Sequence, residues 1–310
     1  MALLLIFAGL VLLVVGGDAL VRGAVNLSKR MGIPALIISL TIVAFGTSAP
    51  ELLIAIQAAL EGFPQLALGN IIGSNIANIL LVLGVPALVF SISSHGTDTQ
   101  IEFYLMILST FTFIAFCFIL PFGPMLGAIL LLMMSGILVF TFRRAQKSTE
   151  LAEALTEEVS EVEDATWKSI LFLIGGLVAL PLGAKFLVDG SIEIAERFGV
   201  SEAVIGLTIV AVGTSLPELA TTVMAAYRRQ ADVAIGNVLG SNMFNLMVIG
   251  GVAALFGPID VDPQFLRLDL WVMLGVSLLV IPYVFKHVSL NRIWGALFCI
   301  GYGLYLWVIL

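Results

Sequence analysis

Glu51 and Glu218 interrupt long apolar stretches, each inside a near-copy of one sequence. The copies read TIVAFGTSAPEL (Thr41 to Leu52) and TIVAVGTSLPEL (Thr208 to Leu219). At the same distance beyond each lies a second shared stretch, GNIIGSNIAN (Gly69 to Asn78) and GNVLGSNMFN (Gly236 to Asn245). An ionisable group in hydrocarbon costs about 2.5–3.5 kcal/mol on insertion scales, so it is a functional candidate by default. Two of them at equivalent places read as two halves of one cation site.

The residues around the carboxylates are hard-oxygen donors. Pro50 cannot donate to the carbonyl one turn back, and Gly46 adds backbone freedom, so the helix is expected to unwind locally in mid-span. Carbonyls freed at that depth persist only where they face protein, water or an ion. Thr47 and Glu51 are four apart, as are Thr214 and Glu218. Asn70, Ser74 and Asn78 form an i, i+4, i+8 stripe, and Asn237, Ser241 and Asn245 repeat it. Two carboxylates and carbonyls near Thr47 and Thr214 offer about six oxygens, within the 6–8 that Ca²⁺ takes. His95 and His287 lie in loops or at span ends and both cysteines lie in spans, which disfavours a soft-metal site. Further hydroxyls and carbonyls around the same carboxylates suit Na⁺, and competition of two ions for one Glu pair is what antiport requires. Taken singly, intramembrane Ser and Asn ordinarily serve as interhelical glue and Gly-xxx-Gly pairs as packing features. Duplication of the whole set at one spacing argues for the site.

The elements that must position these groups are membrane helices. The chain is 60% hydrophobic and 11% charged, against about 25% charged in soluble domains, and its mean hydropathy is +1.12. Many apolar runs reach the length that spans a bilayer. Ten spans are expected, near 2–22, 35–60, 66–90, 101–120, 123–142, 169–189, 202–227, 232–256, 269–286 and 291–309. The N-terminus shows no basic n-region or cleavage site, so its first run reads as a true span. With both termini outside, eleven of the fourteen Lys and Arg fall on the inner side, as the positive-inside rule asks.

The offset between copies is 167 positions, and it also pairs Gly9/Gly176, Gly16/Gly183 and Gly23/Gly190. Five spans per half is an odd number, so the second half enters from the opposite face. The expected fold is an all-α polytopic membrane protein of two inverted-topology five-helix repeats, the plan of many secondary transporters. The repeats occupy 1–142 and 169–310, with the two motifs at 41–78 and 208–245. Residues 143–168 read as a linker carrying a short cytoplasmic helix, from the spacing of Leu151, Leu155, Val159 and Val162. The acidic cluster Glu157, Glu158, Glu161, Glu163 and Asp164 reads first as a solvated face and second as a regulatory cation site. Asp18 and Lys185 are matched by the offset but differ in charge; both sit near span ends, where snorkelling or pairing is ordinary. Pro181 is expected to kink the sixth span.

The paired GTSAPE/GNIIGSNIAN and GTSLPE/GNVLGSNMFN motifs resemble the α-repeats of the calcium/cation antiporter superfamily, in particular prokaryotic Na⁺/Ca²⁺ exchangers. The resemblance covers both halves and leaves out the linker. It implies ten helices and a mid-membrane ion cluster. By position it places Ca²⁺ on Glu51, Glu218 and the carbonyls of Thr47 and Thr214. Two Na⁺ sites fall on the Ala44 carbonyl with Ser74 and on the Ala211 carbonyl with Ser241. Ser48 and Ser215 line the pathway, and Asn78 and Asn245 occupy the remaining central positions. It implies that spans one and six slide across the rest of the bundle. Some relatives carry Asp where Asn245 stands, so K⁺ co-transport is disfavoured here. Cation/proton relatives carry acidic or His residues where this chain has Ser74-Asn75 and Ser241-Asn242, which favours Na⁺ over H⁺.

The resulting expectation is an electrogenic Na⁺/Ca²⁺ antiporter of the cell (inner) membrane. Its partners are Ca²⁺, Na⁺ and the lipid bilayer, with no cofactor, nucleic acid or protein partner implied. The alternative keeps the fold and exchanges Ca²⁺ or another divalent cation for H⁺. A channel would pass uncoupled current. An intramembrane hydrolase fails because neither Ser48 nor Ser215 has a base within its motif.

Overall fold

A bilayer offers the backbone no hydrogen bonds, so the apolar runs become helices. The computed structural model describes residues 1–93, 99–118, 122–155, 166–198 and 211–309. In chain order the elements are α1 (Ala2–Met31), the pair α2 (Ala35–Thr47) and α3 (Ala49–Leu60), α4 (Gln65–Val89) and α5 (Gln100–Phe118). Then come α6 (Pro124–Leu155), α7 (Thr166–Arg197), the single turn α8 (Ala211–Thr214) and α9 (Leu216–Tyr227). α10 (Ala231–Leu255), α11 (Phe265–Lys286) and α12 (Arg292–Ile309) complete the bundle. Among the described residues eight helices are long and apolar enough to cross a membrane, nine when α2 and α3, bent by 44°, count as one. The seventh expected span, 202–227, lies partly outside the described residues and contributes only α8 and α9.

Several boundaries differ from the expectation. α1 runs through Lys29 and Arg30 and ends at Gly32, whose φ of 63° accommodates the left-handed cap. The cations do not break the helix; at its C-terminus they complement the dipole. α6 continues to Leu155, so Leu151 and Leu155 belong to the fifth span's helix and not to a separate linker helix. No Gly or Pro between 143 and 155 stops it. Val159, Val162 and the cluster from Glu157 to Asp164 lie outside the described residues. Pro181 sits inside α7 without ending it.

Local structure recurs at the 167-residue offset. The helix breaks at Ser48 (φ −84°, ψ 7°) and at Ser215 (φ −85°, ψ 5°). A five-residue π turn interrupts α4 at Asn78–Val82 and α10 at Asn245–Ile249. The turns after α3 and α9 both place a residue at positive φ, Gly62 at 83° and Arg229 at 57°. Isolated antiparallel bridges join Ile92 to Leu290 and Phe122 to Ile259.

α1 and α7 lie side by side and antiparallel. A Cβ at Gly9 would meet the Gly183 carbonyl at 2.7 Å, one at Gly16 the Ala179 Cβ at 2.9 Å, and one at Gly23 the Leu173 amide at 2.6 Å. Close approach of two backbones gives van der Waals contact that lipid cannot replace. At 30 and 32 residues both exceed the roughly 20 that span a bilayer, so each is long enough to span with some tilt. Leu3, Leu4, Phe7, Val14 and Val15 turn outward from this pair. α4 and α10 are central: in their most apolar stretches 78% and 83% of residues are buried, against 17–44% in the other single-helix spans.

Candidate functional site

The two central helices and the two helix breaks converge on a buried polar layer. Pro50 and Pro217 sit in the first turn of α3 and α9. That is a tolerated place for proline, because its missing N–H would be unbonded there. Each proline therefore begins a new helix after one non-helical serine. The expected unwinding is confined to Ser48 and Ser215. Gly46 and Gly213 remain helical, so their use is close packing and not backbone freedom. A Cβ at Gly46 would stand 2.0 Å from Leu177 Cδ2, and one at Gly213 would stand 2.3 Å from Val188 Cγ2. Each proline is followed in the same first turn by a carboxylate, Glu51 in α3 and Glu218 in α9, where the positive end of the helix dipole favours negative charge.

Glu51 and Glu218 are buried, 1% and 0% exposed. The Ser48 hydroxyl donates to Glu218 Oε1 at 2.8 Å and so crosses from one half to the other. Thr47 Oγ1 lies 3.3 Å from both the Ala44 carbonyl and Asn237 Oδ1. Asn237 Nδ2 lies 3.1 Å from Thr222 Oγ1 and 3.3 Å from the Glu218 carbonyl. The Asn245 amide donates to Ser74 Oγ at 3.0 Å, and Ser74 in turn donates to the Asn70 carbonyl at 2.7 Å. Asn78 donates to Asn242 Oδ1 at 3.1 Å, and Asn242 donates back to the Asn75 carbonyl at 3.4 Å.

The Ala44 carbonyl also accepts the Ser48 N–H at 3.0 Å, and the Val212 carbonyl accepts the Ser215 N–H at 3.1 Å. Thr214 and Ser215 are buried, and Ser241 is fully buried. Every site residue that the sequence singled out thus lies on the two breaks or the two central helices.

Several buried oxygens in this layer have no protein partner: Glu51 Oε2, Glu218 Oε2, Asn75 Oδ1, Asn78 Oδ1, Asn245 Oδ1 and the hydroxyls of Ser215 and Ser241. Burying a polar atom without a partner is costly. A set made almost wholly of acceptors is satisfied by a cation. Among the described residues no cluster of three or more His, Cys, Asp or Glu occurs, so the chemistry is two carboxylates plus neutral oxygens, suited to hard ions.

Some residues escaped the sequence reading. Thr222 supports Asn237, but its counterpart is Ala55, so duplication does not reveal it. A second duplicated carboxylate pair, Glu102 and Asp269, does obey the offset. Both are buried, yet each has a local partner, Arg144 at 2.7 Å and the Tyr305 hydroxyl at 2.8 Å. His287 is exposed beyond α11, and His95 lies outside the described residues.

A polytopic helical membrane protein with a duplicated carboxylate at its centre has the features of an ion-transport protein. A family model described as sodium/calcium exchanger protein matches residues 1–143 and 168–310, and the chain belongs to that family, one of cation/Ca²⁺ antiporters. It is 31% identical over 341 residues to the sodium/calcium exchanger MaX1 of Methanosarcina acetivorans, covering 99% of this chain and 97% of the relative. It is 36% identical over 283 residues to the inner membrane protein YrbG of Escherichia coli K12, covering 90% and 87%. A solved structure of the sodium-calcium exchanger NCX_Mj, soaked with zero Na⁺ and Ca²⁺, matches with a TM-score of 0.86 at 29% identity, covering 100% of this chain and 99% of that one.

Proposed function

We propose that this antiporter exchanges Na⁺ for Ca²⁺ by alternating access and extrudes Ca²⁺ electrogenically. The observation that carries the reading is the buried layer of partnerless oxygens around Glu51 and Glu218. Two carboxylates balance one divalent cation. Ca²⁺ is held by Glu51, Glu218 and the carbonyls of Thr47 and Thr214, and Na⁺ by the Ala44 carbonyl with Ser74 and the Ala211 carbonyl with Ser241. Ser48 and Ser215 line the approach, while Asn78 and Asn245 occupy the positions between. With either ion bound, the carboxylate charge is offset and the bundle can switch. With neither, two bare carboxylates would have to cross the apolar barrier, which forbids leak. Exchange of more than two Na⁺ per Ca²⁺ moves net charge, and the membrane potential then contributes about 2.3 kcal/mol per charge per 100 mV.

The same reading divides the chain into repeats 1–142 and 169–310 joined by the linker 143–168. Ten spans run with inverted topology and both termini lie outside an inner membrane. The antiparallel α1–α7 seam and the recurrence of breaks and π turns at 167 residues support it. The deciding experiment is ⁴⁵Ca²⁺ uptake into proteoliposomes loaded with Na⁺, with K⁺, or bearing a pH gradient. Uptake that needs internal Na⁺ is expected. Uptake driven by the pH gradient and indifferent to Na⁺ would move the protein to the cation/proton branch.

A further inference from the structure

Outside the ion site, three charged positions are exchanged by the repeat with every sign reversed. Asp18, Arg22 and Arg228 correspond at the 167-residue offset to Lys185, Asp189 and Glu61. Arg22 Nε lies 3.0 Å from Asp18, and Arg228 pairs with the same carboxylate from the far end of α9. Asp18 and Arg228 are 25% and 28% exposed, and this pair ties α1 to α9. The helices are packed beneath it: a Cβ at Gly17 would meet the Ala220 carbonyl at 3.0 Å and Met224 Cγ at 3.1 Å.

The counterpart contact is open. Lys185 and Asp189 are exposed on α7 and, among the described residues, neither makes an ion pair. Among the described residues Glu61, at the end of α3, accepts only from Gln57 Nε2, at 2.8 Å within its own helix. Leu53, the counterpart of Ala220, is 67% exposed. One pair is therefore closed and its equivalent is not. The positive-inside rule accounts for a positive triad on one face and a negative one on the other. It does not require that the partners across the two helices stay opposite in sign after inversion, and they do.

We propose that Asp18–Arg228 and Lys185–Glu61 are two alternately closed latches, positioning residues that hold α1 to α9 in one state of the cycle and α7 to α3 in the other. The proposal rests on the alternating-access and inverted-repeat reading above. Because α1 and α7 pack backbone to backbone along their glycines, they move as a pair. A displacement that parts α1 from α9 on one face brings α7 onto α3 on the other. Latches of matched strength keep the two states close in free energy, which a carrier needs so that ion occupancy and not the empty protein decides the direction.

The test is disulfide trapping with Cys117 and Cys299 replaced by Ala. In proteoliposomes, Asp18→Cys/Arg228→Cys and Glu61→Cys/Lys185→Cys are each oxidised under Na⁺/Ca²⁺ exchange conditions and read by gel mobility after site-specific cleavage. Both pairs are expected to cross-link, and each disulfide to slow exchange about tenfold or more, reversed by reductant, because a locked gate stops turnover. In the Glu61→Cys/Lys185→Cys background, adding Asp18→Asn is expected to speed cross-linking about threefold, the effect of removing the partly buried ion pair that ties α1 to α9. A merely structural Asp18 would not alter a contact on the opposite face. Failure of the Glu61/Lys185 pair to cross-link while Asp18/Arg228 does, or a rate unchanged by Asp18→Asn, overturns the proposal. Cross-linking is read independently of transport. Loss of Na⁺ dependence in the unmodified protein would therefore remove the Na⁺/Ca²⁺ reading without touching the latch result.

Discussion

The two halves of the ion site are nearly the same sequence and are not in the same state. Ser48 reaches across to Glu218, while Ser215, its counterpart, has no partner and neither does Glu51 Oε2. Ser74 is held between Asn245 and the Asn70 carbonyl, while Ser241 makes neither counterpart bond. Asn237 is bonded on both its oxygen and its nitrogen, while Asn70 Nδ2 has no partner. The break geometry at Ser48 and Ser215 agrees within 2°. The backbone at the two breaks therefore matches, and the side-chain hydrogen bonding around it does not. A symmetric sequence can hold an asymmetric state because equivalent helices sit in different surroundings, and exchanging those surroundings is the motion that alternating access requires.

The sharpest way to break this comparison is to remove the charges. Glu51→Gln and Glu218→Gln are each expected to lower ⁴⁵Ca²⁺ exchange by more than about a hundredfold, since an oxygen ligand and a counter-charge are lost together. Both should keep the wild-type gel-filtration profile. Normal uptake in both would end the assignment of the pair.

Next in size, Ser48→Ala removes a hydrogen bond to a charged group, worth about 1.5–3 kcal/mol. It should weaken Ca²⁺ binding to the solubilised protein by about ten- to a hundredfold, whereas Ser215→Ala should change it by less than about threefold. Equal effects, measured by competition with a Ca²⁺ dye, would show that the asymmetry does not belong to the ion-binding state.

The packing side of the comparison is tested at Gly240, where a Cβ would sit 2.4 Å from the Leu40 carbonyl and 2.7 Å from Ala44 Cβ. Gly240→Ala should cost about 1–3 kcal/mol of stability by overpacking, seen as a lower thermal midpoint in detergent. An unchanged midpoint would mean that α2 and α10 yield more readily than their close approach implies.

Smallest of all, Thr222→Ala should cost about 1 kcal/mol by removing an acceptor from Asn237. Its counterpart in the other half is already Ala55, so the loss should lower thermal stability slightly and leave Na⁺-driven exchange in place.

Much of this was legible in the chain because intramembrane polarity is expensive and the duplication marks it twice. The carboxylates and the serine and asparagine stripes followed from spacing; the offset paired the glycines of α1 and α7, and only the structure shows that they pack against each other. Gly46 differs: residue type alone suggests backbone freedom, and only the neighbour Leu177 reveals a packing contact. α6 runs on to Leu155 because no breaker stops it, whereas sequence pattern marks only where polarity begins. Thr222 was invisible because it has no duplicate.

By itself the sequence determined which groups the protein submerges, their duplication, and the helices that carry them, because burial cost and helical period are local properties of residue type. Only the tertiary structure decided which serine holds which carboxylate, which oxygens are left without partners, and which of two sign-reversed ion pairs is closed. Those depend on how one half sits against the other, which the near-copied motifs of the two halves do not specify.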